Sequence, residues 1–301
     1  MRALVTGGNG FIGSHIVDKL IEMQYDVVVV DNQSAESNEK FYVNDKAENY
    51  IVDICDYDKV RSLMTDIDVV FHLAAESRIQ PSILNPIHAT QVNVVGTCNV
   101  LQAARDAGVE RVVYSSTSAG YGLKNEPPLK EDMPKDCLNP YSVTKCAAEE
   151  LCVMYSNLFG LKTISLRYFN VYGERQPYKG QYAPVVGIFL DQYNKNEPMT
   201  IVGDGLQRRD FVHVTDVANA NIIASLTDNE EAFGQVFNVG TGKNYSILEL
   251  AKIIGGEYKH IPSRAGEAKH TLSDNTKIYE MLKWKPMIDF EEWLRGEIDG
   301  K

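Results

Sequence analysis

The chain has 301 residues and a formal net charge of -11, from 30 Lys+Arg against 41 Asp+Glu. Its 44% hydrophobic and 24% charged residues are a globular composition, which excludes wholesale disorder. The acidic balance argues against nonspecific nucleic-acid binding and against a polybasic membrane footprint, while leaving room for an anionic small substrate held by local cations.

Residues 2–6 (RALVT) read as a buried strand running into a glycine turn, and Ile12, Ile16 and Leu20 follow at helical spacing. Residues 26–31 (DVVVVD) read as the second strand, so the first 31 residues make one β-α-β unit. Residues 34–50 are polar and irregular. Tyr50-Ile51-Val52 reads as a short strand ending at Asp53, followed by a helix over 57–64 and a strand over 69–73. A helix over 89–107, a strand over 111–115, a helix over 141–159 and a strand over 162–167 continue the alternation, with a Pro-rich, charged loop at 126–136. Strands alternating with helices predict an α/β fold with a doubly wound, Rossmann-type parallel sheet.

The rhythm changes after Asn170. Residues 173–184 (GERQPYKGQYAP) read as a loop, 185–195 as a helix, and 246–254 and 289–298 as further helices, with a basic loop near 259–270. We expect residues 1–170 to form the cofactor domain, with segments near 208–242 returning to it. Residues 171–301 then form a smaller mixed α/β region over the substrate.

The apolar run at 27–30 is bounded by Asp26 and Asp31, far short of the ~20 residues of a membrane span. The opening MRALVTGGNG has too short an apolar stretch for a signal peptide. The five cysteines are scattered without CxxC, and the six histidines show no HExxH. We therefore expect neither a disulfide framework nor a metal site, in a reducing, cytoplasmic compartment.

Residues 6–13 read TGGNGFIG. Gly8-x-Gly10-x-x-Gly13 fits one spacing of the dinucleotide fingerprint, and Gly7-x-x-Gly10-x-x-Gly13 fits its variant. Glycines permit the tight strand-to-helix turn and a close backbone approach to pyrophosphate, and the helix start offers N–H groups and a favourable dipole to that anion. Asp31 ends the second strand, 18 residues after Gly13. A carboxylate there accepts from adenosine ribose hydroxyls and repels a 2′-phosphate. Asn32 and Gln33 follow rather than an arginine, so NAD is favoured over NADP. Asp53-Ile54, at the next strand end, either touches the adenine or makes an ordinary turn.

Tyr141-Ser142-Val143-Thr144-Lys145 follows Pro140, which marks a helix start. Tyr141 and Lys145 then stand one above the other on a single face. A free tyrosine, with a pKa of about 10, is no base at neutral pH. A nearby ammonium and an oxidised nicotinamide ring would favour its phenolate. Ser115-Ser116-Thr117-Ser118 ends a strand at the carboxyl edge of the sheet, where a hydroxyl can bond a reacting oxygen and relay its proton.

These features in this order resemble the extended short-chain dehydrogenase/reductases, specifically the nucleotide-sugar 4-epimerases. The marks are TGGNGFIGSH (6–15), HLAA (72–75), NVVGT (93–97), YSSTSAGYG (114–122), PYSVTK (140–145), LRYFNVYGERQ (166–176), GDGLQRRDFVHVTDVANA (203–220) and FNVGTG (237–242). The resemblance implies Thr117, four residues before Tyr121, as the catalytic hydroxyl, Tyr141 as base and Lys145 as its partner. It implies NAD contacts at Gly7, Gly10, Phe11, Ile12, Gly13, Asp31, Asn32, Asp53, Ile54, Leu73, Ala74, Ala75, Asn93, Ser115 and Tyr168, beside Tyr141 and Lys145. On the substrate side it implies Asn170, Arg209 and Arg264 at a nucleotide diphosphate, which the fork of an arginine meets bidentately. Glu267, where the family often has Asp, would meet the nucleotide ribose. Gln181, Tyr182 and Ala183 would cover sugar and nucleotide. Thr271 would gate the sugar pocket, and its small size would admit an N-acetyl group.

The related 4,6-dehydratases carry an acid pair after the catalytic hydroxyl. Here Ser118 and Ala119 follow Thr117. The resemblance therefore implies NAD-dependent inversion of C4 of a UDP-hexose or UDP-N-acetylhexosamine through a 4-keto intermediate, in a homodimer paired through helices 89–107 and 141–159. A uronate epimerase, decarboxylase or reductase of nucleotide sugars is the alternative within the fold, told apart by net NADH or CO2. A silent NAD-binding sensor is the alternative of another class, and the intact Thr117–Tyr141–Lys145 set speaks against it.

Overall fold

The computed structural model describes residues 1–35, 40–179, 183–263 and 268–300. Its first strand, β1 (Arg2–Thr6), is buried on both sides: Ala3 and Val5 enter one core and Leu4 the other. That period-two division is what a central parallel strand requires. After α1 (Phe11–Glu22), β2 (Asp26–Val30) repeats it, with Val27 and Val29 on one side and Val28 and Val30 on the other. The third strand, expected at 50–52, instead occupies Glu48–Tyr50 (β3), and Ile51 beyond it is 75% exposed. This strand pairs only with β2 at the sheet edge, so the backbone register Val28↔Glu48 to Val30↔Tyr50 places it rather than side-chain burial.

Next come α2 (Tyr57–Ser62), capped by Asp56, and β4 (Val69–His72). The single helix expected over 89–107 is divided. A short α3 (Ile79–Leu84) leads to α4 (Pro86–Thr90), a π-helical turn over Gln91–Gly96, and α5 (Thr97–Ala107). The π turn buries both Asn93 and Gly96. The residues flanking it keep right-handed helical dihedrals, so side-chain periodicity does not announce it.

The next strand, β5 (Arg111–Thr117), runs two residues past its expected end, because its partner β6 (Lys162–Tyr168) pairs with it as far as Thr117↔Tyr168. Between them lies α6 (Pro140–Phe159). Its start is fixed by Pro140 in the first turn and by a reciprocal cap. Asn139 Oδ1 accepts from the Ser142 amide (2.8 Å) and Ser142 Oγ accepts from the Asn139 amide (3.3 Å).

The remaining elements are β7 (Asn170–Tyr172), α7 (Val185–Asn194), β8 (Met199–Val202), β9 (Arg208–His213), α8 (Val214–Leu226), β10 (Gln235–Val239), β11 (Asn244–Ser246), α9 (Ile247–Ile254), β12 (Tyr258–Ile261), α10 (Thr276–Leu282) and α11 (Phe290–Asp299). The start of the basic loop expected near 259–270 is thus a strand, drawn into register by parallel pairing with β8.

The large sheet has the order β10-β6-β5-β4-β1-β2-β3, with every neighbouring pair parallel. Strand order reverses between β1 and β4, which opens a crevice at their carboxyl ends. The late strand β10 joins this sheet beside β6, and α8 packs against α1 on one of its faces. In contrast, β9 belongs to a three-stranded sheet, β11-β9-β7, over a separate core built on Tyr172, Phe189, Ile201, Phe211, Leu250 and Phe290.

Candidate active site

The glycine turn after β1 is crowded at both alternative positions, since a Cβ on Gly8 would lie 2.8 Å from Val29 Cγ1. Gly7 has φ +68°, and a Cβ there would lie 2.7 Å from the Ala74 amide nitrogen. A Cβ on Gly13 would lie 2.1 Å from the Gly7 carbonyl oxygen. Side chains are therefore barred at Gly7 and Gly13, the ends of the Gly7-Gly10-Gly13 variant. Gly10 is the residue that caps α1, and Phe11 and Ile12 form its first turn. The result is a helix start that a pyrophosphate can approach closely.

Asp31 lies just past β2 and is buried. Its Oδ2 accepts from the Asn9 amide (3.0 Å) and its Oδ1 from the Gln33 amide (2.7 Å). Burial pushes its carboxyl above the ordinary value, and those two amides pull it partway back. Beside it, Asn9 Oδ1 is buried without a hydrogen-bond partner. Asn32 donates to Asp53 (3.1 Å), and Asp53 also accepts from the Cys55 amide (2.8 Å). The Ile54 side chain packs in the core, where a Cβ on Gly96 would come within 2.7 Å of it.

The loop after β4 is locked to β1 by one hydroxyl. Thr6 Oγ1 accepts from the amides of Leu73 and Ala74, both at 3.2 Å, and lies 2.7 Å from His72 Nδ1. His72 Nε2 reaches Thr97 at 2.9 Å. Burial, aided by Lys145, pushes the His72 imidazole down to about 3, so it works as a neutral spacer. Ala75 follows in the same loop, partly buried. Asn93 is fully engaged. Its Oδ1 accepts from the Glu76 amide (2.8 Å), and its Nδ2 donates to the Glu76 carbonyl (3.0 Å) and to Thr144 (2.9 Å). It clamps this loop to α6.

Three consecutive hydroxyls at the end of β5 go to three different partners. Ser115 meets the Tyr168 hydroxyl at 2.9 Å, and Tyr168 is held in turn by Asn221. Ser116 donates to Glu149 at 2.8 Å. Thr117 Oγ1 accepts from the Ala119 amide (3.1 Å), and the hydroxyl favours the Tyr141 phenolate. Burial raises Tyr141 above the ordinary tyrosine value, while Thr117 and the Arg78 charge work to lower it. One turn along α6, Lys145 is 3% exposed with its ammonium 4.3 Å from the centre of the Tyr114 ring. Burial pushes it down to about 7.

A further turn along, Glu149 is buried and accepts from Arg167 Nε (2.9 Å) and Nη2 (2.7 Å). Lys135 lies 3.0 Å from it. Burial alone would raise Glu149, but Arg167, Lys135 and Ser116 hold it below the usual carboxylate range. Sequence reasoning missed Thr6, Arg78 and Glu149. The signal for Glu149 was its spacing, four residues after Lys145.

On the substrate side, Asn170 in β7 donates to the Asp210 carbonyl (3.1 Å) and to Thr271 Oγ1 (3.4 Å). Thr271 is buried, and its hydroxyl also accepts from the Asp210 amide (3.3 Å). Arg209 in β9 donates to the carbonyls of Arg208 (3.0 Å) and Lys269 (3.4 Å). The structure thus brings Asn170 and Thr271 together at Asp210, while Arg209, one residue away on β9, reaches the Lys269 carbonyl. The Asp210 carboxylate is itself buried and fastens the amides of Thr241, Gly242 and Ser273. Ala183 lies partly buried just before α7. Gln181, Tyr182, Arg264 and Glu267 lie outside the described residues.

Residues 3–240 match the pattern of the NAD dependent epimerase/dehydratase family. A UDP-glucose 4-epimerase of Mycolicibacterium smegmatis is 37% identical over 311 residues, covering 99% of this chain and 98% of that one. Among solved structures, a UDP-glucose 4-epimerase of Thermotoga maritima with UDP-glucose superposes with a TM-score of 0.93 at 36% identity, covering 99% of this chain and 98% of that one. A UDP-N-acetylglucosamine 4-epimerase of Methanobrevibacter ruminantium, in complex with UDP-N-acetylmuramic acid, superposes with a TM-score of 0.91 at 34% identity, covering 99% and 97%. With its glycine cradle, its parallel sheet and its Thr117–Tyr141–Lys145 cluster, the chain belongs to the NAD-dependent epimerase/dehydratase family.

Proposed function

We propose that this chain is an NAD-dependent UDP-hexose 4-epimerase. The observation that carries the reading is the Thr117 hydroxyl at the carboxyl end of β5 acting on Tyr141 at the start of α6, with Lys145 one turn away and no carboxylate at 118 or 119. Epimerases with the same span and the same fold support it.

The residues fit an NAD. A cradle that a Cβ would fill, a buried acid at the end of β2 and the unpartnered Asn9 Oδ1 beside it suit a dinucleotide's phosphates and ribose. Gly7, Gly10 and Gly13 would hold the pyrophosphate at the start of α1, and Asp31 the adenosine ribose. Asn32, Asp53, Leu73, Ala74 and Ala75 line the same crevice in this reading. When bound, NAD supplies a reversible hydride acceptor for the sugar's C4, with a positive ring beside the phenol.

Tyr141 takes the proton of the 4-hydroxyl, and Thr117 orients that hydroxyl and relays the proton. Lys145, one turn along α6 on the same face, adds a positive charge only in its protonated state, which burial disfavours. The planar 4-keto sugar then turns while its nucleotide stays anchored; C4 takes its hydride back on the opposite face, and Tyr141 gives the proton back to the 4-oxygen. Arg209 and Asn170, with Arg264 from sequence alone, would anchor the diphosphate far from the chemistry. Binding energy there holds the substrate without freezing the hexose. The small Thr271 suits an N-acetylated sugar as well as a plain one.

A homodimer paired through the helical stretch 89–107 and α6 suits the exposed Val95, Val143, Met154 and Leu158, beside Ile83, Leu84 and Ile87. A reducing, cytoplasmic setting suits the five free cysteines. Among the described residues, no helix is long and apolar enough to cross a membrane. The experiment is direct. The purified chain is incubated with UDP-galactose or UDP-N-acetylgalactosamine, and the C4 epimer is expected with no net NADH. Net reduction of NAD or release of CO2 would overturn the reading.

A further inference from the structure

The segment between β4 and α3 carries two charged residues that the reaction scheme leaves unassigned, Glu76 and Arg78. Both are tied to the backbone of Tyr141. On one side, Asn93 holds both backbone groups of Glu76 and donates to Thr144, whose hydroxyl donates to the Tyr141 carbonyl (3.0 Å). On the other side, the Arg78 carbonyl accepts from the Ser82 amide (3.2 Å), and Ser82 Oγ accepts from the Tyr141 amide (3.0 Å). The place of Arg78 relative to the base is therefore set by the fold.

Arg78 is partly buried, and its amide donates to Glu76 Oε1 (3.2 Å). Its Nε is buried and has no hydrogen-bond partner. Desolvating a guanidinium nitrogen without a partner is costly, so its position calls for a use of the charge. The groups whose charge or hydroxyl acts on Tyr141 are Arg78 and Glu76 from this segment, Thr117 from β5 and Cys146 from α6 itself, with Tyr114 of β5 coupled to it and Lys145 one turn along the same helix. Lys145 is a poor permanent cation here. Burial brings it down to about 7, and its ammonium leans over the Tyr114 ring. An arginine stays charged throughout the working range. Arg78 favours the Tyr141 phenolate, and Glu76 opposes it.

We propose that Arg78 is a positioning residue for proton abstraction. Its guanidinium, carried on a segment whose backbone the Ser82 and Asn93–Thr144 tethers tie to that of Tyr141, supplies the fixed positive charge beside the base, and Glu76 is the counter-charge that tempers it. The proposal rests on Tyr141 acting as the base.

The test is the pH–rate profile of the NAD-loaded enzyme. In Arg78→Gln, the acidic limb of kcat should move to higher pH by about one unit, with the plateau little changed. Arg78→Lys should recover part of that shift. Glu76→Gln, which keeps the acceptor for the Arg78 amide, should move the limb the other way, to lower pH. An unmoved limb in Arg78→Gln with a raised KM would make Arg78 a sugar contact and overturn the proposal. If Arg78→Gln does not fold, Glu76→Gln decides: an unmoved or raised limb there overturns it. The phenolate absorbance that Tyr141→Phe removes, titrated in the same variants, reads Tyr141 without turnover. It separates failure of this proposal from failure of the epimerase reading.

Discussion

The end of β5 and the ends of β7 and β9 present polar side chains in opposite ways. At β5, Ser115, Ser116 and Thr117 are each matched to a side-chain partner, Tyr168, Glu149 and Tyr141. At β7 and β9, Asn170 and Arg209 donate to the backbone carbonyls of Asp210, Arg208 and Lys269, and Asn170 also to Thr271. Exchanging a side-chain partner would leave a buried group unsatisfied. A carbonyl at a part-exposed loop can be given up to water while the guanidinium turns to a phosphate. In the function proposed above, the first region would be preset for chemistry and the second recruited by a ligand.

The largest effect should follow from breaking the preset region at its reacting atom. Tyr141→Phe should lower kcat by about a thousandfold or more, with NAD content and circular dichroism near wild type. Near-normal turnover would remove Tyr141 from the mechanism. Next comes the ion pair beneath it. Glu149→Ala leaves Arg167 buried and unpaired, and should cost about 3–5 kcal/mol in denaturant unfolding. A cost below about 1 kcal/mol would mean the β5 region is no more rigid than its counterpart.

A smaller effect is expected on the recruited side. Arg209→Ala should raise KM for the nucleotide sugar roughly 10- to 100-fold while kcat changes by less than about threefold. Equal losses in kcat would erase the distinction between the regions. The smallest effect concerns stability against pH. Lys145 titrates near 7 in the folded chain and near the ordinary lysine value when unfolded. Between those values the unfolded chain binds more protons, so this group makes stability rise with pH across that window. Lys145→Met should therefore raise the melting temperature by a few degrees at pH 7 and by less at pH 10, at the expense of activity. A uniform gain at both values would show that the lysine is not held down by burial.

These contrasts also explain what could be read from the amino-acid order. β2 was legible because burial on both faces leaves a run of four valines between two acids. The start of α6 was legible because Asn139, Pro140 and Ser142 act locally. The need for glycine at both Gly7 and Gly8 was not local, since it comes from Ala74 and Val29 crowding them. β3 and β12 were misplaced or missed because edge strands are chosen by backbone pairing that leaves little trace in side chains. The π turn was invisible for a similar reason. The roles of Ser115 and Ser116 depend on residues 53 and 33 positions away, and no local pattern carries that. The matches to Arg264, Glu267, Gln181 and Tyr182 remain proposals from sequence.

Tyr141, Lys145 and Glu149 are spaced by four along α6, so chemistry and foundation share one phase of a single helix. Each residue of an α-helix turns the next by about 100°. Inserting or deleting one residue between Lys145 and Glu149 would swing the ion pair off the catalytic face while leaving composition and helix propensity nearly unchanged. Length variation among descendants of this chain should therefore collect in the 122–139 and 173–184 loops and spare this helix. A single-codon insertion scan would map that intolerance as a sharp gap over the catalytic turns.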